Sequence, residues 1–176
     1  MRKILNKKFF ERDTLVAAEE LLGKFLVRKS GEKEIAAMIT EVEAYDGHKD
    51  KASHAHRGRT ARNAPMFGDA GIWYVYLCYG MHNMLNIVTG PEKYPAAVLI
   101  RGIAGFDGPG KLTKHLNIGR NFNNKKACRK TRLWIEDRGV VVAKKHIRKL
   151  QRIGVDYAGE EWANKKYRFA LKKLCN

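Results

Sequence analysis

The chain has 176 residues, which is the size of one domain and enough to bury a hydrophobic core without a metal or disulfide staple. Its 35 Lys and Arg residues against 18 Asp and Glu residues give a formal net charge of +17, while an apolar content of 44% excludes a disordered tail. A charge of this size predicts a polyanionic partner. Nucleic acid is favoured, with an anionic membrane or ribosomal RNA as alternatives.

Cysteine usage indicates neither a disulfide framework nor a zinc site. Cys78, Cys128 and Cys175 are odd in number, far apart and without a C-x-x-C pair, so a reducing compartment is the simpler inference. The amino terminus lacks an apolar core of signal-peptide length, and no segment approaches about 18 consecutive apolar residues. We therefore expect a soluble, cytoplasmic protein without a membrane partner.

The first predicted element is a helix over residues 14–23, because Asp13 or Thr14 can cap its start and Gly23 can end it. A hairpin follows, with strands over residues 24–29 and 35–45 around a turn at residues 30–32. Apolar and aromatic runs predict further strands at residues 72–79, 84–89 and 96–101. The short connections favour antiparallel pairing.

The last third of the chain predicts helices at residues 111–116 and 144–153 and a hairpin of strands at residues 132–136 and 140–143. The fold class is therefore α+β: a single domain over residues 1–176, with a mainly antiparallel, curved β-sheet flanked by helices. Residues 111–176 carry 19 Lys and Arg against 5 Asp and Glu, a net charge of +14, which leaves +3 for residues 1–110. This asymmetry predicts that the carboxy-terminal third contacts the polyanion and that the front half carries the chemistry.

Two carboxylates lie near the end of the long second strand. Alternate strand residues share a face, so Glu41, Glu43 and Tyr45 point the same way, with the two carboxylates about 7 Å apart. Two acids on one strand cannot flank a bond from opposite sides, as an inverting glycosidase requires, so one of them is expected to be structural. The pattern alone leaves it open whether either is simply paired with an arginine.

Residues 51–63 contain four cations, no acid and one glycine, a composition that suits phosphate binding through guanidinium and backbone N–H groups. An ordinary exposed loop is the alternative. The nearby His48, His54 and His56 could suggest a metal site with Asp46 and Asp50, but the surrounding cations oppose a divalent ion. We expect no metal.

The strand at residues 72–79 is predicted to place Trp73, Val75 and Leu77 in the core and Tyr74 and Tyr76 on the opposite face. Aromatic residues at such spacing are usually core packing.

Two residues at strand ends are candidates for a site. Tyr79, beside Gly80, can project as a wedge between stacked bases. Arg101 ends the apolar run at residues 96–100 and is either a site residue or a surface cation. Carboxylates among cations and exposed aromatics indicate chemistry on a nucleobase.

These segments, read together, resemble the alkyladenine (3-methyladenine) DNA glycosylase family. The motifs that carry the resemblance are EVEAY at 41–45, SHAHRGRT at 53–60, MFG at 66–68, YVY at 74–76, YGMH at 79–82, LN at 85–86 and VLIR at 98–101. The resemblance extends weakly through residues 108–112 and 159–169 and so spans nearly the whole chain.

The resemblance implies a role for each matching residue. Glu43 would activate a water molecule, Arg101 would steady the flipped nucleotide and that water, and Tyr79 would fill the gap that the base vacates. Asn86 would crowd the 2-amino group of guanine. The residues implied to form the base pocket are Tyr45, His54, Tyr76, Asn86 and Leu99. Those expected to bind phosphates are Arg57, Arg59, Arg62 and Lys111.

The chain departs from the family pattern at two positions, where His56 and Ala61 replace a tyrosine and a proline. The implied activity is that of a monofunctional DNA-3-methyladenine glycosylase without a cofactor, acting as a monomer on double-stranded DNA, in the nucleoid if the source is bacterial. Damaged purines (3-methyladenine, 7-methylguanine, hypoxanthine, ethenoadenine) would be flipped out and hydrolysed, leaving an abasic site. The alternatives are a non-catalytic basic DNA- or RNA-binding module and an RNA-directed hydrolase.

Overall fold

A computed structural model describes residues 2–172 of the chain. Its strands are β1 (Lys3–Ile4), β2 (Phe25–Ser30), β3 (Lys33–Asp46), β4 (Trp73–Cys78), β5 (His82–Val88), β6 (Ala96–Ile103), β7 (Phe106–Asp107), β8 (Leu133–Asp137), β9 (Ile147–Leu150) and β10 (Arg168–Leu171). Its helices are α1 (Lys7–Phe10), α2 (Thr14–Leu21), α3 (Pro109–His115) and α4 (Glu160–Asn164). Cys78 and Cys128 are free thiols, and Cys175 lies outside the described residues.

The predicted α+β class with a curved antiparallel sheet is confirmed. The strands follow the order β1-β8-β2-β3-β6-β5-β4, and β10 pairs with both β3 and β9. Most predicted elements are present with shifted ends. The Asp13 side chain caps α2 by accepting a hydrogen bond from the Val16 N–H. No helix within residues 2–172 is long and apolar enough to span a membrane.

Two predictions for the last third of the chain are wrong. Residues 140–143 form no strand, because β8 is already paired with β1 on one side and β2 on the other and has no free edge. The predicted helix at residues 144–153 is instead a short 3₁₀ turn, Lys144–His146, followed by β9. Ile147, Leu150 and Ile153 recur every three residues and imitate a helical face, but pairing of β9 with β10 overrides that local preference.

The long strand β3 connects the two parts of the sheet. Its first half pairs with β2 and its second half with β6 and β10, and the register with β6 shifts around Thr40 and Arg101. Gly102 lies at this irregularity, where an added Cβ would come within 3.1 Å of the Thr40 hydroxyl and 3.2 Å of the Glu41 Cβ. Such bulges redirect side chains. Here Arg101 falls opposite no residue of β3 and turns toward its carboxylates.

The central strands divide their residues between two faces. One face carries the main core, which includes Val42, Leu85 and Ile100 and packs against α2 and α3. The other face carries a smaller cluster around Tyr74 and Ala97, which the loop after β3 and the 3₁₀ turn Ala64–Phe67 cover in part. The uncovered area of this second face forms a pocket.

Candidate active site

A row of directly opposite residues crosses four strands on the pocket face. Glu43 on β3 pairs with Leu99 on β6, Leu99 with Asn86 on β5, and Asn86 with Tyr74 on β4. Opposite residues of antiparallel strands project to the same side of the sheet, so all four reach one cavity. Strands lie about 4.8 Å apart, which puts Glu43 and Asn86 roughly 10 Å from each other.

The loop after β3 adds the remaining wall. The Asn63 side chain holds this loop: its Oδ1 accepts from the Thr60 N–H at 2.7 Å, and its Nδ2 donates to the carbonyls of His54 and Gly58, both at 2.9 Å. His54 is thereby placed with Nδ1 3.0 Å from the Tyr74 hydroxyl and its ring edge-on to Tyr76, with centroids 4.7 Å apart.

The cavity has a volume of about 560 Å³, within the range of roughly 300–1,000 Å³ that is usual for small-molecule sites. Every residue predicted for catalysis, the base pocket and intercalation lines it: Glu43, Tyr45, His54, Tyr76, Tyr79, Asn86, Leu99 and Arg101. The sequence motifs, spread over about sixty residues, therefore meet in one pocket.

Glu43 is fully buried at the base of this cavity. Its Oε1 accepts from the Ile153 N–H at 2.9 Å and lies 3.4 Å from Arg101 Nη1, and its Oε2 accepts from the Tyr45 hydroxyl at 2.9 Å. Burial raises the pKa of Glu43 above its ordinary value, and Arg101, the Ile153 N–H, the Tyr45 hydroxyl and Arg168 oppose that rise. A carboxylate with a raised pKa is suited to accept a proton.

Glu41 has a different environment, although it lies on the same strand. Its Oε1 accepts from Arg101 Nε at 3.1 Å and from Arg168 Nη1 at 2.9 Å, and its side chain is not among those lining the cavity. Of the two carboxylates, Glu41 is therefore the one engaged by two arginines, and Glu43 is the one that faces the pocket.

The aromatic walls are neutral hydrogen-bonding groups at ordinary pH. Burial raises the pKa of Tyr74 to about 12 and also raises those of Tyr45 and Tyr76. Burial, with a smaller contribution from Arg62, lowers the pKa of His54 and so favours its uncharged imidazole. Two cationic side chains, Arg62 and Arg101, also line the cavity beside these neutral groups.

The β4–β5 hairpin projects beside the cavity. Tyr79 is 89% exposed and has a φ of 49°, a left-handed conformation that is unusual for a bulky residue. Leu77 was expected in the core but is 37% exposed and lines the cavity, because β4 is the edge strand and its end extends beyond the packed layer.

The four predicted phosphate-binding cations are divided. Arg57 and Arg59 are exposed on the loop outside the cavity. Arg62 lines the cavity, lies 4.9 Å from the Tyr76 ring centroid and donates to the Leu77 carbonyl at 3.3 Å. Lys111 lies on α3 in a separate groove of about 620 Å³, which it shares with Met81 of the hairpin turn and with His82 and Asn83 at the start of β5.

The sequence did not reveal the contribution of the carboxy-terminal segment. Ile153 and Tyr157 line the cavity, and Arg152 pairs with Asp50 where both side chains are fully buried. Asp50 could be read only as a candidate metal ligand, and residues 144–153 were expected to be a helix.

Within residues 2–172, no group of three His, Cys, Asp or Glu side chains is arranged to hold a metal ion.

A buried carboxylate facing an aromatic pocket of this size, on a protein with a net charge of +17, is the arrangement expected of an enzyme that acts on a base of a nucleic acid. Comparisons with known proteins agree. The family described as Methylpurine-DNA glycosylase (MPG) matches the chain over residues 8–107 and 104–174.

Relatives span most of the chain. One from Methanocella arvoryzae is 45% identical, covering 90% of this chain and 88% of its own length. Another, from Anaeromyxobacter sp. strain Fw109-5, is 42% identical, covering 96% and 89%. One from Sodalis glossinidius is 54% identical over 68% of this chain and 72% of its own length. All three bear the name "Putative 3-methyladenine DNA glycosylase". The chain belongs to the methylpurine-DNA glycosylase family and is a DNA repair glycosylase.

Proposed function

We propose that this glycosylase flips damaged purines out of duplex DNA and hydrolyses their N-glycosidic bonds with a water molecule that Glu43 activates. The observation that carries the proposal is the placement of a fully buried Glu43, with a raised pKa, in a cavity walled by Tyr45, His54 and Tyr76. A carboxylate opposes the binding of a polyanion, so its presence in a DNA-binding pocket favours a chemical role over a binding role.

Extrusion of the base has an energetic cost that the pocket can offset. Rotating a base out of the duplex costs a few kcal/mol and least for a damaged base that pairs poorly. Stacking on an aromatic side chain returns about 1–3 kcal/mol per contact. Tyr79 would fill the vacated gap, while Tyr45 and Tyr76 would stack on or contact the flipped base, so gain and cost are of similar size.

The chemical step needs one proton acceptor, the Glu43 carboxylate, and one water molecule. Glu43 takes a proton from the water as the water oxygen forms a bond to the deoxyribose anomeric carbon. The bond between that carbon and the purine nitrogen breaks, and its electron pair leaves with the base. The carboxylate and Arg101 orient the water, and the carboxylate also stabilises the positive charge that develops on the sugar. The product is an abasic site.

The proposed substrates are 3-methyladenine, 7-methylguanine, hypoxanthine and ethenoadenine. The methylated purines are cationic, leave without a strong general acid and are attracted to aromatic walls. The guanidinium groups of Arg152 and Arg62, each 4.9 Å from a ring centroid of Tyr45 or Tyr76, oppose part of that attraction. Neutral lesions such as hypoxanthine and ethenoadenine stack on the same rings without this repulsion, so they remain among the proposed substrates. Asn86, with its Nδ2 bound to the carbonyls of Tyr74 and Met84 at 3.1 Å, would crowd the 2-amino group of guanine. It would thereby disfavour unmodified guanine, which lacks the bond-weakening positive charge of 7-methylguanine.

The protein is proposed to bind DNA as a monomer, with Arg57, Arg59, Arg62 and Lys111 contacting phosphates. The decisive experiment uses a labelled duplex with a single hypoxanthine or alkylated purine, followed by alkaline cleavage of any abasic site. We expect cleavage at the lesion with the wild-type protein and, over the same reaction time, little or none with Glu43→Gln. An intact strand with both proteins, despite duplex binding, would leave the proposal without support.

A further inference from the structure

The Asp50–Arg152 ion pair joins the loop after β3 to the carboxy-terminal segment, 102 residues away. Arg152 Nη1 and Nη2 donate to Oδ2 and Oδ1 of Asp50 at 2.5 and 2.9 Å, and both side chains are fully buried. Nη1 also donates to the Ala44 carbonyl at 2.9 Å. Such a bidentate pair fixes the relative position of its two segments.

The partners of the pair extend this connection. Asp50 accepts from the Asp46 N–H and from the Ala52 N–H, both at 3.0 Å, so the carboxylate also holds the end of β3 and the start of the loop. Arg152 Nη2 lies 3.4 Å from the Trp162 carbonyl, at the helix α4. Three segments of the chain are therefore tied at one buried point.

That point is connected to both oxygens of Glu43. Ile153, the residue after Arg152, donates its N–H to Glu43 Oε1, although the residue is 51% exposed and has little packing of its own to hold it there. The Arg152 guanidinium also lies 4.9 Å from the ring centroid of Tyr45, whose hydroxyl donates to Glu43 Oε2. Both oxygens of Glu43 are thus bound by groups that Arg152 holds in place.

We propose that Arg152, held by Asp50, is a positioning residue that orients the Glu43 carboxylate toward the attacking water. The inference rests on the proposed function, since it assigns Glu43 the role of base. A purely structural role is the competing explanation, because breaking any buried ion pair leaves an uncompensated charge and destabilises the fold.

The two explanations differ in their effect on the pH profile. The charged and titratable groups that interact with Glu43 are Arg101 on β6, Arg168 on β10, Tyr45 on its own strand, Tyr76 on β4, and Arg152 and Tyr157 of the carboxy-terminal segment, together with the Ile153 N–H. Loosening the Ile153 N–H and the Tyr45 hydroxyl removes two hydrogen bonds that favour the charged carboxylate. The pKa of Glu43 then rises, and the rate is lost at a higher pH on the acidic side. A structural defect alone lowers the rate by the same factor at every pH.

The test measures single-turnover excision of hypoxanthine between about pH 5 and 9. The principal variant is Asp50→Asn/Arg152→Gln, which leaves no unpaired buried charge, and Arg152→Lys is the conservative variant. We expect the double variant to lower the plateau rate by about 10- to 100-fold, the scale for a misplacement near 1 Å. Its acidic limb should move up by roughly one pH unit. Arg152→Lys should lie between it and the wild type.

The control is Lys24→Gln/Asp137→Asn, which neutralises a partly exposed ion pair of 2.7 Å between the residue before β2 and the end of β8, away from the cavity. Its pH profile should equal that of the wild type. An unmoved acidic limb in both Arg152 variants overturns the inference while leaving the proposed function intact. Wild-type protein that excises no lesion overturns the proposed function itself, and the inference with it. Circular dichroism and duplex binding verify that each variant is folded.

Discussion

The floor of the cavity and the tip of the β4–β5 hairpin are made by adjacent strands but differ in almost every physical respect. On the floor, Glu43, Asn86 and Leu99 are at most 3% exposed and are fixed by strand pairing and by hydrogen bonds. At the tip, Tyr79 is 89% exposed and Met81 is 70% exposed. Groups that perform chemistry must be held before the substrate arrives, whereas apolar groups that contact DNA can be covered only once it has arrived.

The largest expected effect tests whether the floor carries the chemistry. Glu43→Gln should keep DNA binding and lower the single-turnover rate by about 10²–10⁴, because removal of a positioned base has a cost of that order while side-chain volume is retained. Binding should be unchanged or tighter, since a negative charge near the phosphates is removed. Rates come from a hypoxanthine duplex and affinities from the same duplex by fluorescence anisotropy.

Glu41→Gln is the matched control, because it makes the same change two residues away on the same strand. Glu41 is bound by Arg101 and Arg168, so its loss should alter the rate far less than the loss of Glu43. The reverse outcome, with Glu43→Gln as active as the wild type and Glu41→Gln inactive, would move the catalytic role to Glu41.

The second expected effect tests the hairpin tip. Tyr79→Ser should lower the population of flipped base without altering the water or Glu43, because the side chain that would fill the gap is gone. Loss of about 1–3 kcal/mol of stacking corresponds to roughly 5- to 150-fold in that population. The defect should be largest for well-paired lesions. A fluorescent base analogue beside the lesion reports flipping, and an unchanged signal would mean that another residue fills the gap.

The residues of the cavity floor could be predicted from the sequence better than the distant residues that hold them in place. The strands containing Glu43, Tyr76 and Leu99 are apolar runs with period-2 faces, and such local patterns survive folding. The hydrogen bond from the Ile153 N–H to Glu43 spans 110 residues and depends on the pairing of β9 with β10, which helical spacing concealed. His54 likewise depends on the fold of its loop around Asn63, which no local periodicity encodes.

The third expected effect tests whether Asn86, on the floor, sets the selectivity between bases. Asn86 is buried with its Nδ2 bound to two backbone carbonyls, so it cannot move aside for a larger base. Asn86→Ser should open space for the guanine 2-amino group and raise excision of mispaired guanine relative to hypoxanthine by about tenfold. Competition between the two lesions in one reaction measures this ratio directly. Equal ratios in variant and wild type would locate the discriminating contact elsewhere.

The smallest expected effect concerns single cations at the DNA-facing side. If about five to seven phosphates are neutralised, the slope of log K against log salt for a lesion-free duplex should be about −4 to −6, at roughly −0.9 per phosphate.

Lys111, in the groove beside the hairpin, should account for one of these contacts, so Lys111→Ala should make the slope shallower by about 0.9. Lys33→Ala is the matched control. Lys33 begins β3, ten residues and roughly 33 Å of strand from Glu43, and it should not contact DNA that occupies the cavity.

Equal slopes for both variants would show that DNA binding follows net charge alone. A wild-type slope shallower than about −2 would mean that the net charge of +17 serves another partner. A change confined to Lys111 would instead extend the DNA-facing side from the hairpin tip to α3, so that the exposed region binds the duplex while the buried floor acts on one base.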